Sequence, residues 1–152
     1  MNHFALLGIE PSFAVDIAQL EAAYFREQRK FHPDRFVGKP AAERNAALNA
    51  SMDINHAYDT LKNPLKRAQY LLHLQGITVG TEKDSVKPSQ AQLIEIMELR
   101  ESLEEGADIA LDTMITASES SIAEHFFAKH FDAMAQETLR LGYLMKIKQD
   151  SK

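Results

Sequence analysis

Residues 18–36 read AQLEAAYFREQRKFHPDRF, and this stretch decides the fold. Wound as a helix at about 100° per residue, it sets Ile17, Leu20, Tyr24 and Phe31 within roughly 60° of one another, a core-facing stripe. Arg26, Arg29 and Lys30 fall on the opposite face, about 160° away. Asp16 is a good N-cap, with Gln19 three residues on completing a capping box. Pro33 disfavours helical geometry in the residue before it, so the helix should end at Phe31 or His32. A further helix should open with Pro40 in its first turn and run to about Lys62. It carries Ala47, Ser51, Ile54, Tyr58 and Leu61 on one side. The two helices should pack antiparallel, Leu20 and Tyr24 against Ile54, Tyr58 and Leu61. His32, Pro33 and Asp34 are then displayed at their common end.

The chemistry of that loop is concrete. Pro33 stiffens the backbone so that an imidazole and a carboxylate stand side by side. Asp34 can accept charge-assisted hydrogen bonds from an arginine on a partner, and the neighbouring basic face can meet an acidic patch. No nucleophile or second acid lies nearby in the sequence, so the arrangement suits docking to a protein better than catalysis. The plainer alternative is a helix-ending turn, since Pro and Asp are common turn residues.

Outward from this hairpin the chain reads as nearly all helix, without long β-branched alternation. A short helix near residues 2–7 precedes a turn at 8–12. Pro64 opens a helix that Gly76 ends. The stretch GITVGTEKDSVKP at 76–88 holds two glycines, a proline and small polar residues, and marks a boundary. The expected organisation is an all-α chain with a helical-hairpin unit at 1–76, a linker at 77–88 and a small antiparallel bundle at 89–152. Within the bundle, Ser89 and Gln92 form a capping box for a helix to about Glu105, where Gly106 breaks it. Ser118–Ser121 reads as a turn, with Ser121 and Glu124 capping a last helix to about Lys148. That helix is expected to be long but cut short at its far end, because the chain ends soon after Ile147. Phe126, Phe127, Phe131 and Met134 read as bundle core.

The helix from Ser89 to Glu105 has two apolar faces. Ile96, Leu99 and Leu103 cluster as a core stripe. Leu93, Ile94 and Met97 cluster about 130–140° away, with Glu98 and Glu101 beside them. One helix of a small bundle rarely needs both faces covered by its own chain. The second face is a candidate recognition surface with an acidic border, unless it packs under the linker or the first unit.

Composition narrows the function classes. Apolar residues make up 45% and charged residues 26%, as in an ordinary globular protein. Residues 1–75 carry nine Lys/Arg and eight Asp/Glu (+1), residues 76–152 eight and fourteen (−6), summing to the net −5. An acidic second half argues against nucleic acid as a partner. No apolar run approaches membrane-spanning length. The start MNHFALLGIE lacks the marks of a signal peptide, so a cytoplasmic protein is expected. The absence of cysteine removes disulfides, thiolate nucleophiles and thiolate metal sites together. Of the six histidines, His125 and His130 are the closest pair, but a spacing of five sets them about 140° apart on a helix. His56 and His73 read as helix-surface or core-edge residues. With no phosphate loop and no hydrolase elbow, neither an enzyme nor a metal or cofactor is expected.

The pattern F-x-L-L-G-I, the quoted AQLEAAYFREQRKFHPDRF and the later INHAYDTLKNPLKRAQYLL together resemble a J domain. The segment from Asn55 to Leu72 resembles the HscB branch in particular, and the likeness continues at LIEIMELRESLEE and at Thr138–Leu144. The resemblance implies a co-chaperone that stimulates the ATPase of an HscA-type, DnaK-like chaperone through His32, Pro33 and Asp34. Arg26, Arg29, Lys30 and Arg35 would contribute electrostatic docking. It further implies that an IscU-type iron–sulfur scaffold protein binds Leu93, Ile94, Met97 and Tyr143, with Glu98 and Glu101 meeting basic groups. The positions of Glu21 and Phe25, basic in many J domains, are not so here. A J protein with a different client, or a helical adaptor without ATPase stimulation, are the alternatives.

Overall fold

The computed structural model describes residues 1–80 and 86–151. Part of the expected linker, 81–85, lies outside the described residues. The described residues form seven α-helices and no strand: α1 His3–Leu7, α2 Ile17–Lys30, α3 Ala41–Lys62, α4 Pro64–His73, α5 Gln90–Glu104, α6 Leu111–Phe127 and α7 Phe131–Asp150. They divide into two compact units, Met1–Arg67 and Ala68–Lys152, with the division inside α4. None of these helices is long and apolar enough to cross a membrane.

In the first unit α2 begins where its cap dictates. Asp16 Oδ1 accepts from the Ala18 and Gln19 amides at 2.9 and 3.3 Å. The helix stops at Lys30, and a single 3-10 turn, Pro33–Phe36, leads toward α3. Pro40 is the N-cap of α3, just outside its first turn. Leu20 and Ala23 of α2 are buried, as are Ala47, Ile54, Ala57 and Leu61 of α3, with Phe4, Leu7 and Phe13 completing the core. Tyr24 and Tyr58 stack across the pair with ring centroids 4.3 Å apart. Ile17 is the exception in the expected stripe: one residue past the cap, it is 46% exposed. Ala23, too small to stand out in the sequence, is buried instead. Buried Arg67 donates to the Leu61 carbonyl at 2.7 Å and lies 4.8 Å from the Phe13 ring centre.

In the second unit successive helices run antiparallel. Lys148 near the end of α7 pairs with Asp112 at the start of α6. Gln92 donates to the Gln136 carbonyl and Arg140 pairs with Glu95, so α5 and α7 run parallel. Ile96, Leu111, Leu144 and Ile147 form a buried cluster with Leu99, Leu103 and Tyr143 packed against it.

Three expectations for this unit need correcting. Residues 118–121 are not a turn: α6 runs straight through them, because Leu111, Ser118 and Ile122 lie on one buried helical stripe. The Ser121–Glu124 capping box therefore does not exist. The reversal falls instead at Ala128–His130, and α7 runs for 20 residues from Phe131 to Asp150. Phe127, at the end of α6, points away from the core and is 90% exposed, while Met134 is fully buried.

Candidate functional site

The His-Pro-Asp turn is built by its own backbone. His32 is extended (φ −61°, ψ 136°), as a residue before proline must be, and serves as N-cap of the 3-10 turn. Its Nδ1 accepts the Asp34 amide N–H at 3.2 Å. An accepting Nδ1 leaves the ring proton on Nε2, so the Asp34 carboxylate 3.6 Å away forms no ion pair in that tautomer. The Asp34 side chain is 88% exposed and the His32 side chain 60%. Both outward groups, Nε2–H and the carboxylate, face solvent as a donor and acceptor pair.

The four predicted cations are not equivalent. Arg29 and Arg35 are exposed. Lys30 Nζ lies 2.9 Å from Glu27 Oε2, and Arg26 Nε lies 3.8 Å from Glu27 Oε1. Arg26 also donates through Nη2 to the Leu7 carbonyl at 3.0 Å, satisfying a free carbonyl at the end of α1. Arg26 is thus partly a strut between α1 and α2, and Glu27 offsets part of the basic face.

A hydrogen-bond network not expected from the sequence fixes the hairpin next to the turn, with Gln28 and Asn55 joining Tyr24 and Ser51. Gln28, one helical turn before His32, donates Nε2 to Asn55 Oδ1 (2.7 Å) and to the Ser51 carbonyl (3.1 Å). Its Oε1 accepts from Ser51 Oγ at 2.7 Å. Tyr24 donates its hydroxyl to the same Asn55 Oδ1 at 2.6 Å. These bonds are directional, so they set the spacing and rotation of α2 against α3 more sharply than apolar packing alone. The signal in the sequence was the position of Gln28 beside the Tyr24 stripe, where an apolar residue would be expected.

In the second unit Leu93, Ile94 and Met97 share one face of α5 and are 43%, 47% and 61% exposed. Glu98 and Glu101 are exposed beside them. Tyr143 differs: it is half-buried and packs against the cluster of Ile96, Leu111, Leu144 and Ile147. It sits one turn past Arg140, which binds Glu95 through Nε at 2.8 Å and Nη2 at 3.4 Å. The hydrogen bond to Glu95 is the main reason the Arg140 guanidinium holds its proton even more firmly than usual. That bridge holds α7 against α5 on the side away from the exposed face.

His125 and His130 are closer than one continuous helix would allow. The reversal at 128–130 brings their rings to 6.4 Å. Among the described residues no group of three His, Asp or Glu is placed to share a metal ion.

A helical hairpin whose tip displays an exposed His-Pro-Asp turn beside a basic helix face defines a J-domain protein. The DnaJ domain family matches residues 2–70, and the HSCB C-terminal oligomerisation domain family matches residues 89–152. The co-chaperone protein HscB of Proteus mirabilis is 36% identical over 98% of this chain and 92% of its own length. The solved chaperone HscB from Vibrio cholerae superposes with a TM-score of 0.81 at 31% identity, covering 99% of this chain and 95% of that one. Human co-chaperone protein HscB gives 0.82 at 29% identity, covering 99% and 80%. The chain belongs to the HscB family of J-domain co-chaperones of iron–sulfur cluster assembly.

Proposed function

We propose that this protein stimulates ATP hydrolysis by an HscA-type, DnaK-like chaperone and delivers an IscU-type iron–sulfur scaffold protein to it. The observation that carries the reading is the presence, in one chain, of an exposed His-Pro-Asp turn and an exposed apolar helix face bordered by carboxylates. In this reading residues 1–76 are the J domain, 77–88 the linker and 89–152 the scaffold-binding bundle, working in the cytoplasm.

Asp34 accepts hydrogen bonds from an arginine of the ATP-bound chaperone, with His32 Nε2–H as a second contact. Arg29 and Arg35, with Lys30 and Arg26 behind them, steer an acidic surface onto the turn. Leu93, Ile94 and Met97 bury against the scaffold, Met97 adapting its shape, while Glu98 and Glu101 meet basic groups at the rim. Tyr143 contributes from the edge of the core. Linking the two binding events raises the local concentration of scaffold at the chaperone's peptide site. A chain without cysteine leaves the cluster on the scaffold's own ligands. The protein performs no reaction itself and needs no cofactor.

The test is single-turnover ATP hydrolysis by the chaperone, with and without scaffold, for the wild type, Asp34→Asn and Leu93→Ala/Met97→Ala. Asp34→Asn should abolish stimulation without changing thermal stability, since its side chain is almost fully exposed. The double alanine variant should keep stimulation by the co-chaperone alone and lose the further increase that scaffold brings. Stimulation indifferent to scaffold would mean another client. No stimulation by folded wild-type protein would leave only a helical adaptor.

A further inference from the structure

Beside the His-Pro-Asp turn the first unit carries an open groove of about 390 Å³ that the sequence did not announce. Phe31, Pro33, Phe36 and Val37 line it from the turn, Leu48 lines it from α3, and Arg44 is the charged residue on its wall. Among the described residues no carboxylate lines it. Val37 is 78% exposed and Leu48 59%, and Met52, one turn further along α3, is also exposed. A small domain gains nothing in stability by leaving these side chains in water, and a concentrated apolar patch of this kind marks a binding surface.

We propose that the groove receives an apolar side chain of the ATPase chaperone, flanked by a carboxylate that pairs with Arg44. The inference rests on the reading that His32–Asp34 dock that chaperone, and it adds a second contact to the same interface. Two observations choose this occupant. Pro33 belongs to the motif and Phe36 to the same 3-10 turn, so a partner seated on Asp34 also covers the groove. Cations outnumber carboxylates around the groove: Arg44 is on its wall and Arg35 and Lys39 are exposed on the adjoining turn and loop, against Asp34 in the turn and Glu43 at the start of α3. An apolar group bordered by acids is the complement. The face of α5 on a second copy of this chain has the same chemistry. That pairing would hide both functional surfaces, and the test separates it.

Asp34 acts on the rate of hydrolysis once the complex forms, and the groove supplies binding. Val37→Ser/Leu48→Ser and, separately, Arg44→Glu change exposed side chains and should leave the thermal midpoint unchanged. In a titration of single-turnover hydrolysis, each should raise the co-chaperone concentration giving half-maximal stimulation, the serine pair by roughly tenfold. The maximal rate should stay within about twofold of wild type. Asp34→Asn, run alongside, should lose the maximal rate itself. Wild-type titration curves for both groove variants, with Asp34→Asn inactive, would overturn the groove assignment and leave the proposed function standing. An unchanged curve together with loss of self-association in sedimentation would overturn it in favour of a second copy. Inactive wild-type protein would remove the proposed function and the groove with it.

Discussion

The two units present their proposed recognition groups in opposite ways. The first displays polar groups where the chain reverses, on three consecutive residues whose geometry is set by one proline and one backbone-to-imidazole hydrogen bond. The second displays apolar groups on the side of a regular helix, and their availability depends on which face of α5 the neighbouring helices leave bare. The supports differ accordingly. Beside the turn, α2 and α3 are joined by the Gln28–Ser51–Asn55–Tyr24 hydrogen bonds, which fix rotation. Beneath the apolar face lies a packed cluster, which needs only to keep α5 in place. In the proposed function, the motif that meets its partner with atomic registry rests on directional bonds, and the patch that works by burial rests on packing.

The largest effect that would break this contrast comes from the second core. Leu144 is fully buried in the cluster with Ile96, Leu111 and Ile147. Leu144→Ala should cost about 2–5 kcal/mol in urea unfolding, the lost transfer energy plus the cavity left behind. Scaffold capture should fall with it, while Asp34-dependent ATPase stimulation persists under conditions where the first unit remains folded. Equal loss of both activities would show that the two surfaces do not have separate supports.

A smaller effect sharpens the contrast from the other side. Gln28→Leu removes three hydrogen bonds and leaves Ser51 Oγ without its acceptor. The expected cost is about 1–2 kcal/mol in chemical denaturation. The maximal ATPase stimulation should fall as well, because the turn is one helical turn away, and scaffold capture should not change. A variant that loses stability yet stimulates at the wild-type maximum would make the polar lock structural only.

Legibility in the sequence divides along the same line. The His32–Asp34 turn was readable because proline dictates the geometry locally, and Asp16 and Ser89 set their helix starts through adjacent amides. Exposure of Leu93, Ile94 and Met97 followed from the helical period, because two apolar stripes on one helix of a small bundle exceed what its partners cover. The bond of Arg26 to the Leu7 carbonyl was not readable, because it joins residues nineteen apart, which no local pattern reveals. The groove beside the turn depends on the packing of α3 against a loop and left no periodic trace.

The α6–α7 reversal shows a turn that forms without its usual residue. α5 ends with the Ala107 amide bonded to the Ser102 carbonyl and the Gly106 amide to Leu103, and Gly106 takes φ +88°. That is the Schellman closure, for which glycine is the usual left-handed residue. The end of α6 repeats the same bonds, His130 to His125 and Lys129 to Phe126, but the residue at φ +60° is Lys129. Without glycine or proline the turn carried no sequence signal, and the serines ten residues earlier drew the boundary instead. A lysine held there bears a steric cost that glycine would not. Lys129→Gly should therefore stabilise the second unit by about 1 kcal/mol, read as a raised urea midpoint at unchanged slope. Scaffold capture should be unaffected, since neither Lys129 nor its turn belongs to the α5 face. A lowered midpoint would mean that the freedom glycine gains in the unfolded chain outweighs the relief of the left-handed backbone.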